Sequence, residues 1–219
     1  MKTGLSLIAA MLLMACASLP TIRPFDANQE TFSSGNCSSH FPEGGWQLVH
    51  TINARIQGGH QATFTGVVIL SPEDDSIQCA VMTLEGFVLF EAVDRGRVTV
   101  KRAFGPFDDE NFARGVMDDI RFLFVEPEGE TTVGLFENGS RGCRYLTVRD
   151  RTVDLMEGPD GGWRLLQYDS LGYPMRTMTA DSPNADGFSQ KIVLQALGRH
   201  GYQLTMTLVE AVAIQEPPE

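Results

Sequence analysis

The chain has 219 residues, and 17 Lys and Arg against 28 Asp and Glu give a formal net charge of −11. That length suffices for one sizeable domain with its own core. An acidic chain without a basic cluster is poorly suited to nucleic acid or to electrostatic adhesion on anionic lipid, so membrane attachment must come from acyl chains or apolar surface.

Met1-Lys2-Thr3-Gly4 precedes an almost unbroken apolar run from Leu5 to Met14, which is the layout of a secretory signal. Ten apolar residues in a helix reach only about 15 Å, roughly half the bilayer core, too short for a permanent span. Leu13-Met14-Ala15-Cys16 resembles the lipobox of bacterial lipoprotein precursors, with a branched residue at −3, a small one at −1 and a cysteine. Membership of that class implies cleavage after residues 1–15, with Cys16 as lipidation site carrying a diacylglycerol and an N-acyl chain. Ala17, in place of Asp, resembles an outer-membrane address, so the protein is expected lipid-anchored there and facing the periplasm. Residues 16–40, with two prolines and many small polar residues, read as the lipidated cysteine and a flexible tether. Residues 41–219 read as one domain.

From Trp46 the pattern alternates with period two: Trp46, Leu48, His50, Ile52, Ala54 and Ile56 share one strand face. A second strand, Gln61–Leu70, follows Gly58-Gly59, and Ser71-Pro72-Glu73-Asp74-Asp75 turns the chain. Ser76–Leu84 and Phe87–Val93 are separated by Glu85-Gly86, and a two-residue loop would pair Leu84 with Phe87 and Val81 with Phe90. Cys79, Val81, Thr83, Val88, Phe90 and Ala92 then form one apolar face. Arg97–Ala103 is a fifth strand. Asp109 to Val125 places Phe112, Val116, Ile120, Leu123 and Phe124 at helical spacing, with Asp108 or Asp109 as cap. Further short strands follow at Thr131–Glu137, Arg144–Arg149, Thr152–Met156, Trp163–Tyr168, Met175–Thr179, Lys191–Ala196 and Tyr202–Ile214. The reading is mainly β: a single strongly curved antiparallel sheet of about eleven strands, a half-open barrel with a helical plug.

Convergent chemistry is scarce. His40, His50, His60 and His200 have no ligand-spaced companions, so neither a metal site nor a catalytic residue is assigned. Asp118-Asp119 diverge on a helix and read as a solvated face. Asp181 to Gly187 offers Pro183 and Ala185 where a calcium loop needs oxygen ligands. No GxSxG, HExxH or phosphate-binding glycine loop is present.

Three segments carry a resemblance to the lipoprotein-localisation fold of LolA and LolB. Val81-Met82-Thr83-Leu84-Glu85-Gly86-Phe87-Val88-Leu89-Phe90 is similar to the LolB loop and its following strand, without the proline of that loop. Phe104 to Val125 falls where that fold holds its helical plug. Ser189 to Leu194 and Gly201 to Met206 resemble its closing hairpin, more tightly turned. The resemblance spans Trp46 to Ile214 and implies a non-catalytic protein, without a cofactor beyond its own acyl chains, that shelters acylated cargo in an apolar cavity. Val81, Phe90, Val116 and Ile120 are its expected lipid-binding residues, and a periplasmic LolA-like carrier its expected partner. Leu84 and Phe87 either tuck under a neighbouring element or, as the exposed leucine of LolB implies, contact a membrane. A non-catalytic structural lipoprotein with a filled barrel, partnering an outer-membrane assembly, is the competing reading.

Beyond Cys16 lie Cys37, Cys79 and Cys143, an odd number in a compartment that permits disulfides. Cys79 falls on the apolar hairpin face, whereas Cys37 and Cys143 lie among Gly, Ser and Arg, so Cys37–Cys143 is the preferred pair. Because only Cys16 occupies the lipobox, Cys16→Ser is expected to abolish radiolabelled palmitate incorporation and leave unprocessed or released protein; labelling that persists would remove the lipoprotein assignment.

Overall fold

The computed structural model describes residues 19–25, 34–56, 58–148, 151–199 and 201–214; the leader, Cys16 and His200 lie outside them. The elements are β1 Ile22–Pro24, α1 Ser34–Ser38, β2 Trp46–Ile56, β3 Gln61–Ser71, β4 Ser76–Met82, β5 Val88–Asp94 and β6 Val98–Ala103. After them come α2 Glu110–Phe124, β7 Gly129–Phe136, β8 Arg141–Thr147, β9 Thr152–Glu157, β10 Trp163–Tyr168, β11 Pro174–Ala180, β12 Lys191–Ala196 and β13 Tyr202–Ala213. All thirteen strands form one antiparallel sheet in the order β1-β7-β8-β9-β10-β11-β12-β13-β2-β3-β4-β5-β6. Its two edges, β1 and β6, do not pair with each other, so the curved sheet stays open, as the patterning predicts.

The strand alternation sorts side chains as expected. Leu48 and His50 of β2, Cys79 of β4, and Phe90 and Ala92 of β5 are buried on the concave side, where they share one apolar core with Met117, Ile120, Leu123 and Phe124 of α2. Asp109 caps α2 by accepting a hydrogen bond from the Phe112 backbone N–H at 2.9 Å, which satisfies one of the orphan donors of the first turn. Its buried apolar residues are Ala113, Met117, Ile120, Phe122, Leu123 and Phe124. Ile120, Leu123 and Phe124 of the predicted stripe are among them, whereas Phe112 is exposed and Val116 half-buried.

Two expectations need correction. The first concerns the β4–β5 hairpin. Thr83 N–H donates to the Phe87 carbonyl at 2.9 Å and Gly86 N–H to the Thr83 carbonyl at 3.0 Å, with Gly86 at φ +88°. The loop is thus the three residues Leu84-Glu85-Gly86, not two. A two-residue type I′ turn needs positive φ at both positions, and Glu85 disfavours it, whereas a type I turn closed by a left-handed glycine needs only Gly86. Val81 still faces Phe90, but Met82 faces Val88 across a bulge, and Leu84 does not oppose Phe87.

The second concerns the tether. Part of it belongs to the fold: β1 pairs with β7, Ile22 facing Phe136, and Phe25 packs on the core. Arg144 grips Asp154 through both carboxylate oxygens at 2.6 Å and donates to the Pro20 carbonyl at 2.7 Å. Three residues of strand give almost no periodic signal, so β1 was invisible to patterning; its pairing is supplied by β7 and by Arg144. Farther on, α1 presents Cys37 to Cys143 of β8, and the two form a disulfide with Cα atoms 6.2 Å apart, the pair preferred from their surroundings. Cys79 is free and buried.

The disulfide closes a loop with a sequence separation of 106, and a cross-link over roughly 100 residues is worth about 4.7 kcal/mol in the chain-entropy account. Replacing Cys37 and Cys143 together by Ala is expected to lower unfolding stability by about 2–5 kcal/mol, read from urea midpoints. Addition of reductant should bring the wild type to the same midpoint. Equal midpoints for variant and oxidised wild type would contradict this.

Candidate functional site

The concave face carries two coverings. The N-terminal segment covers one half: Cys37 and Phe41 are buried, and Phe41 and His40 meet the Trp163 ring at centroid distances of 6.1 and 5.4 Å. Helix α2 covers the other. The Met117 sulfur lies 3.4 Å from Cys79 Sγ, and Phe124 lies 5.8 Å from the His50 ring. At its N-terminal side an aromatic chain runs from Phe64 and Phe90 through Phe107 to Phe112, with centroids 5.1–6.0 Å apart.

Val81, Phe90, Val116 and Ile120 all sit in this one cluster, Phe90 fully buried, Ile120 buried, and Val81 and Val116 partly so. Val81 and Phe90 come from β4 and β5, Val116 and Ile120 from α2 itself, so the fold gathers all four where the helix meets the sheet. Two clefts lie elsewhere and are polar. One of about 350 Å³ is lined by Asn138, Arg141, Glu157 and Arg164 among others. Another of about 230 Å³ is bounded by Asn53, Arg55, Thr63 and Gln203 among others.

Polar ties fix the plug at several points. Asp119 points inward from α2, 2.7 Å from Nε of Arg176 on β11, and accepts the hydroxyl of Tyr202 on β13. Burial pushes its carboxyl up to about 6 against the pull of Arg176 and Tyr202. Arg121 pairs with Asp94 of β5 at 2.9 Å. Just past the helix, Glu126 accepts from Ser38 at 2.7 Å and from the Tyr145 hydroxyl at 3.1 Å, joining both coverings to β8. Asp119 corrects the solvated-face reading of Asp118-Asp119. Its neighbours one turn away, Val116, Phe122 and Leu123, are apolar, and that was the signal for burial. Nothing in the sequence pointed to Arg176 or Tyr202 as its partners, which lie 57 and 83 residues on.

Two buried groups are chemically quiet. Burial brings His50 down to about 4, so it is neutral at physiological pH, and pushes the Cys79 thiol up to about 12; a thiol held in that form is a poor nucleophile. Among the described residues, no three His, Cys, Asp or Glu side chains are grouped to hold a metal ion.

Leu84 and Phe87 are 63 % and 55 % exposed, so the hairpin tip is not tucked under a neighbour. Phe87 instead touches the equally exposed Phe104, ring centroids 5.4 Å apart.

No family model matches the sequence, and no curated protein matches it. Solved structures do. A LolA superfamily protein from Nitrosomonas europaea superposes with a TM-score of 0.57 at 10 % identity, over 82 % of this chain and 90 % of that one. A candidate outer membrane lipoprotein-sorting domain from Vibrio parahaemolyticus aligns at TM-score 0.49 and 12 % identity, over 82 % and 89 %. At such identities the first likeness speaks for architecture alone, and the chain has the LolA/LolB-type fold: an open, curved antiparallel sheet closed over a helix.

Proposed function

We infer that this is an outer-membrane-anchored, non-catalytic lipoprotein, held by acyl chains on Cys16, whose interior receives the acyl chain of lipidated cargo from a periplasmic LolA-like carrier. The observation that carries the reading is the apolar concave face, one half of which is covered by a single helix, α2, and not by a further layer of sheet. The apolar terms of an exchange nearly balance. Withdrawing Met117, Ile120, Leu123 and Phe124 from the core costs roughly 1.5–3 kcal/mol each. An acyl chain of about 16 carbons gains about 0.8 kcal/mol per buried methylene. The two sums are of the same order, so a chain can take the helix's place without a large net cost. In this reading Val81 and Phe90 change partner from helix to ligand, Val116 and Ile120 turn from the sheet to the ligand as α2 moves, and Leu84 and Phe87 form the apolar contact through which cargo or membrane is met.

One observation favours the competing reading. Side chains of α2 and of the strands pack together in the interior, and the two clefts described above lie outside that core, as expected of an interaction lipoprotein that binds no lipid. Titration of the chain from residue 17 onward with a fluorescent, uncharged acyl ester separates them. Saturable uptake near one site per chain, weakened by Phe90→Glu or Val81→Glu in variants that still fold, supports the carrier. A folded protein that takes up no apolar probe supports the filled barrel.

Uptake by helix displacement also has a pH signature. Asp119 ionises near 6 when docked, against about 3.9 in water. The docked state therefore binds a proton more tightly, and its relative stability grows as pH falls from 6 towards 4, by up to about tenfold per pH unit. Affinity for the uncharged probe is expected to fall on acidification through this window and to stay level in Asp119→Asn. A wild-type affinity that rises below pH 6 would contradict displacement of α2.

A further inference from the structure

The larger polar cleft, of about 350 Å³, carries a charge that the fold itself does not use. It is lined by Asn138 and Ser140 of one turn, Arg141, Met156 and Glu157 of β8 and β9, and Arg164 of β10. Arg141 is engaged by Glu157, whose two carboxylate oxygens it meets at 2.8 and 3.1 Å. Arg164 has no such partner: among the described residues no carboxylate or other acceptor meets its guanidinium. Asn138 accepts the Ser140 backbone N–H through its side-chain oxygen at 3.0 Å, which leaves the amide N–H groups and the Ser140 hydroxyl to donate.

A guanidinium is a rigid fork of N–H donors that matches the oxygens of a phosphate. The lining holds two guanidiniums against one carboxylate, so one positive charge is left for a ligand. The turns that frame this end, 137–140, 158–162 and 181–187, contain Glu137, Asp160, Asp181 and Asp186 and neither Lys nor Arg. They repel a multiply charged anion. A ligand that brings its own cation escapes that repulsion, and Glu157 can receive the cation, since a carboxylate has more acceptor sites than Arg141 uses. A quaternary ammonium seeks an aromatic cage, and the lining residues include no aromatic. A primary ammonium, which donates hydrogen bonds to a carboxylate, fits instead.

The position of the cleft supplies a source for such a zwitterion. The Thr21 N–H donates to the Glu137 carboxylate, and Arg144 holds the Pro20 carbonyl while it grips Asp154. Asp154 and Met156 alternate with the core residues Val153 and Leu155 of β9. They therefore share the outer side of the sheet, about 7 Å apart, and Arg164 lies on that side too, between Trp163 and Leu165 of the core. The chain thus enters over the outer side of β8 and β9, beside the cleft wall. From Cys16 to Pro20 is at most about 14 Å of chain, so acyl chains on Cys16 bring the cleft within reach of the headgroup layer.

We propose that this cleft binds the headgroup of one membrane phospholipid, a phosphodiester of a primary amino alcohol, with its phosphate on Arg164, Ser140 and Asn138 and its ammonium on Glu157. The contact is local. A net charge of −11 opposes broad adhesion to anionic lipid, and a zwitterionic headgroup raises no such barrier. Binding sets the outer side of β8 to β10 against the bilayer. The proposal rests on the reading of Cys16 as a lipid anchor.

The test titrates the full lipidated chain, held in a non-ionic detergent, with glycerophosphoethanolamine, glycerophosphocholine and inorganic phosphate, read by calorimetry. The first should bind at one site per chain and severalfold tighter than the second. Arg164→Gln should weaken it about tenfold, the loss expected for hydrogen bonds to a charged group. Glu157→Gln should bring the ethanolamine and choline forms to equal affinity. Inorganic phosphate as the tightest ligand would reject the lipid source in favour of a free anion, and no binding by any of the three would reject the site. In vesicles, a fluorophore at Asp186→Cys, in the neighbouring turn, reports its distance from a dye-labelled lipid by energy transfer. Mixing phosphatidylethanolamine into phosphatidylcholine should raise the transfer, and Arg164→Gln should abolish the rise. Transfer that ignores both changes would overturn the proposal. A chain that does not join the vesicles at all would overturn the anchor at Cys16 and the membrane source with it, and the titration would still tell whether the cleft takes the headgroup.

Discussion

An antiparallel sheet that curves without closing leaves its concave apolar face open to water, and the rest of this structure answers that one exposure. Phe90, Leu48, Leu155, Leu165, Met178 and Leu194, drawn from strands around the whole sheet, are fully buried, although no second sheet faces them. The chain meets the need twice, with α2 inserted between β6 and β7 and with the segment before β2 folded inward. Each covering comes from a place where the sheet order jumps, since β6 and β7 are far apart in the sheet although consecutive in sequence.

Covering an apolar surface with a helix leaves the helix free to slide or rotate unless polar contacts fix it. Asp119, Arg121 and Glu126 reach β11 and β13, β5, and β8, so α2 is located by three walls at once. A buried ion pair gives weak net stability, because desolvation offsets most of its attraction, yet losing one partner costs about 3–5 kcal/mol. Such contacts therefore punish a misplaced helix more than they reward a correct one. The helix's own apolar stripe could not do this, since Met117 and Ile120 would pack almost as well a few degrees away.

The sequence made legible what periodicity can carry. Long strands such as β2 and β13, the cap at Asp109 and the helical span each write a pattern several residues long, and the open mainly-β architecture followed from their order. The cysteine pairing was legible from local polarity, because Cys79 had to lie on an apolar face and the other two did not. What escaped were features set by tertiary partners. β1 is three residues long and exists because Arg144 and β7 hold it. Asp119 looks solvated until Arg176 and Tyr202 are brought to it. The hairpin loop was misjudged by one residue because spacing alone does not say which of Glu85 and Gly86 can take a left-handed conformation. Of the candidate lipid-binding residues, Val116 and Ile120 were legible as helical and Val81 and Phe90 as strand, but not that the helix packs its Ile120 into the same core as Phe90.

The two coverings differ in how they are held, and that difference decides which can move. The N-terminal segment is joined to β8 by the Cys37–Cys143 disulfide and, before it, to β7 and Arg144 through β1 and Pro20. Freeing it requires breaking a covalent bond or exposing the Arg144–Asp154 pair. Helix α2 has no covalent tie. Its apolar contacts are exchangeable for those of any apolar body of similar size, and its contact with β4 is the soft one between Met117 and Cys79. The polar ties of Asp119 and Arg121 are separate contacts, and breaking any of them would return its groups to water. Of the two coverings α2 is therefore the one that can be exchanged for another apolar body, and the disulfide-bonded half of the barrel is the fixed wall.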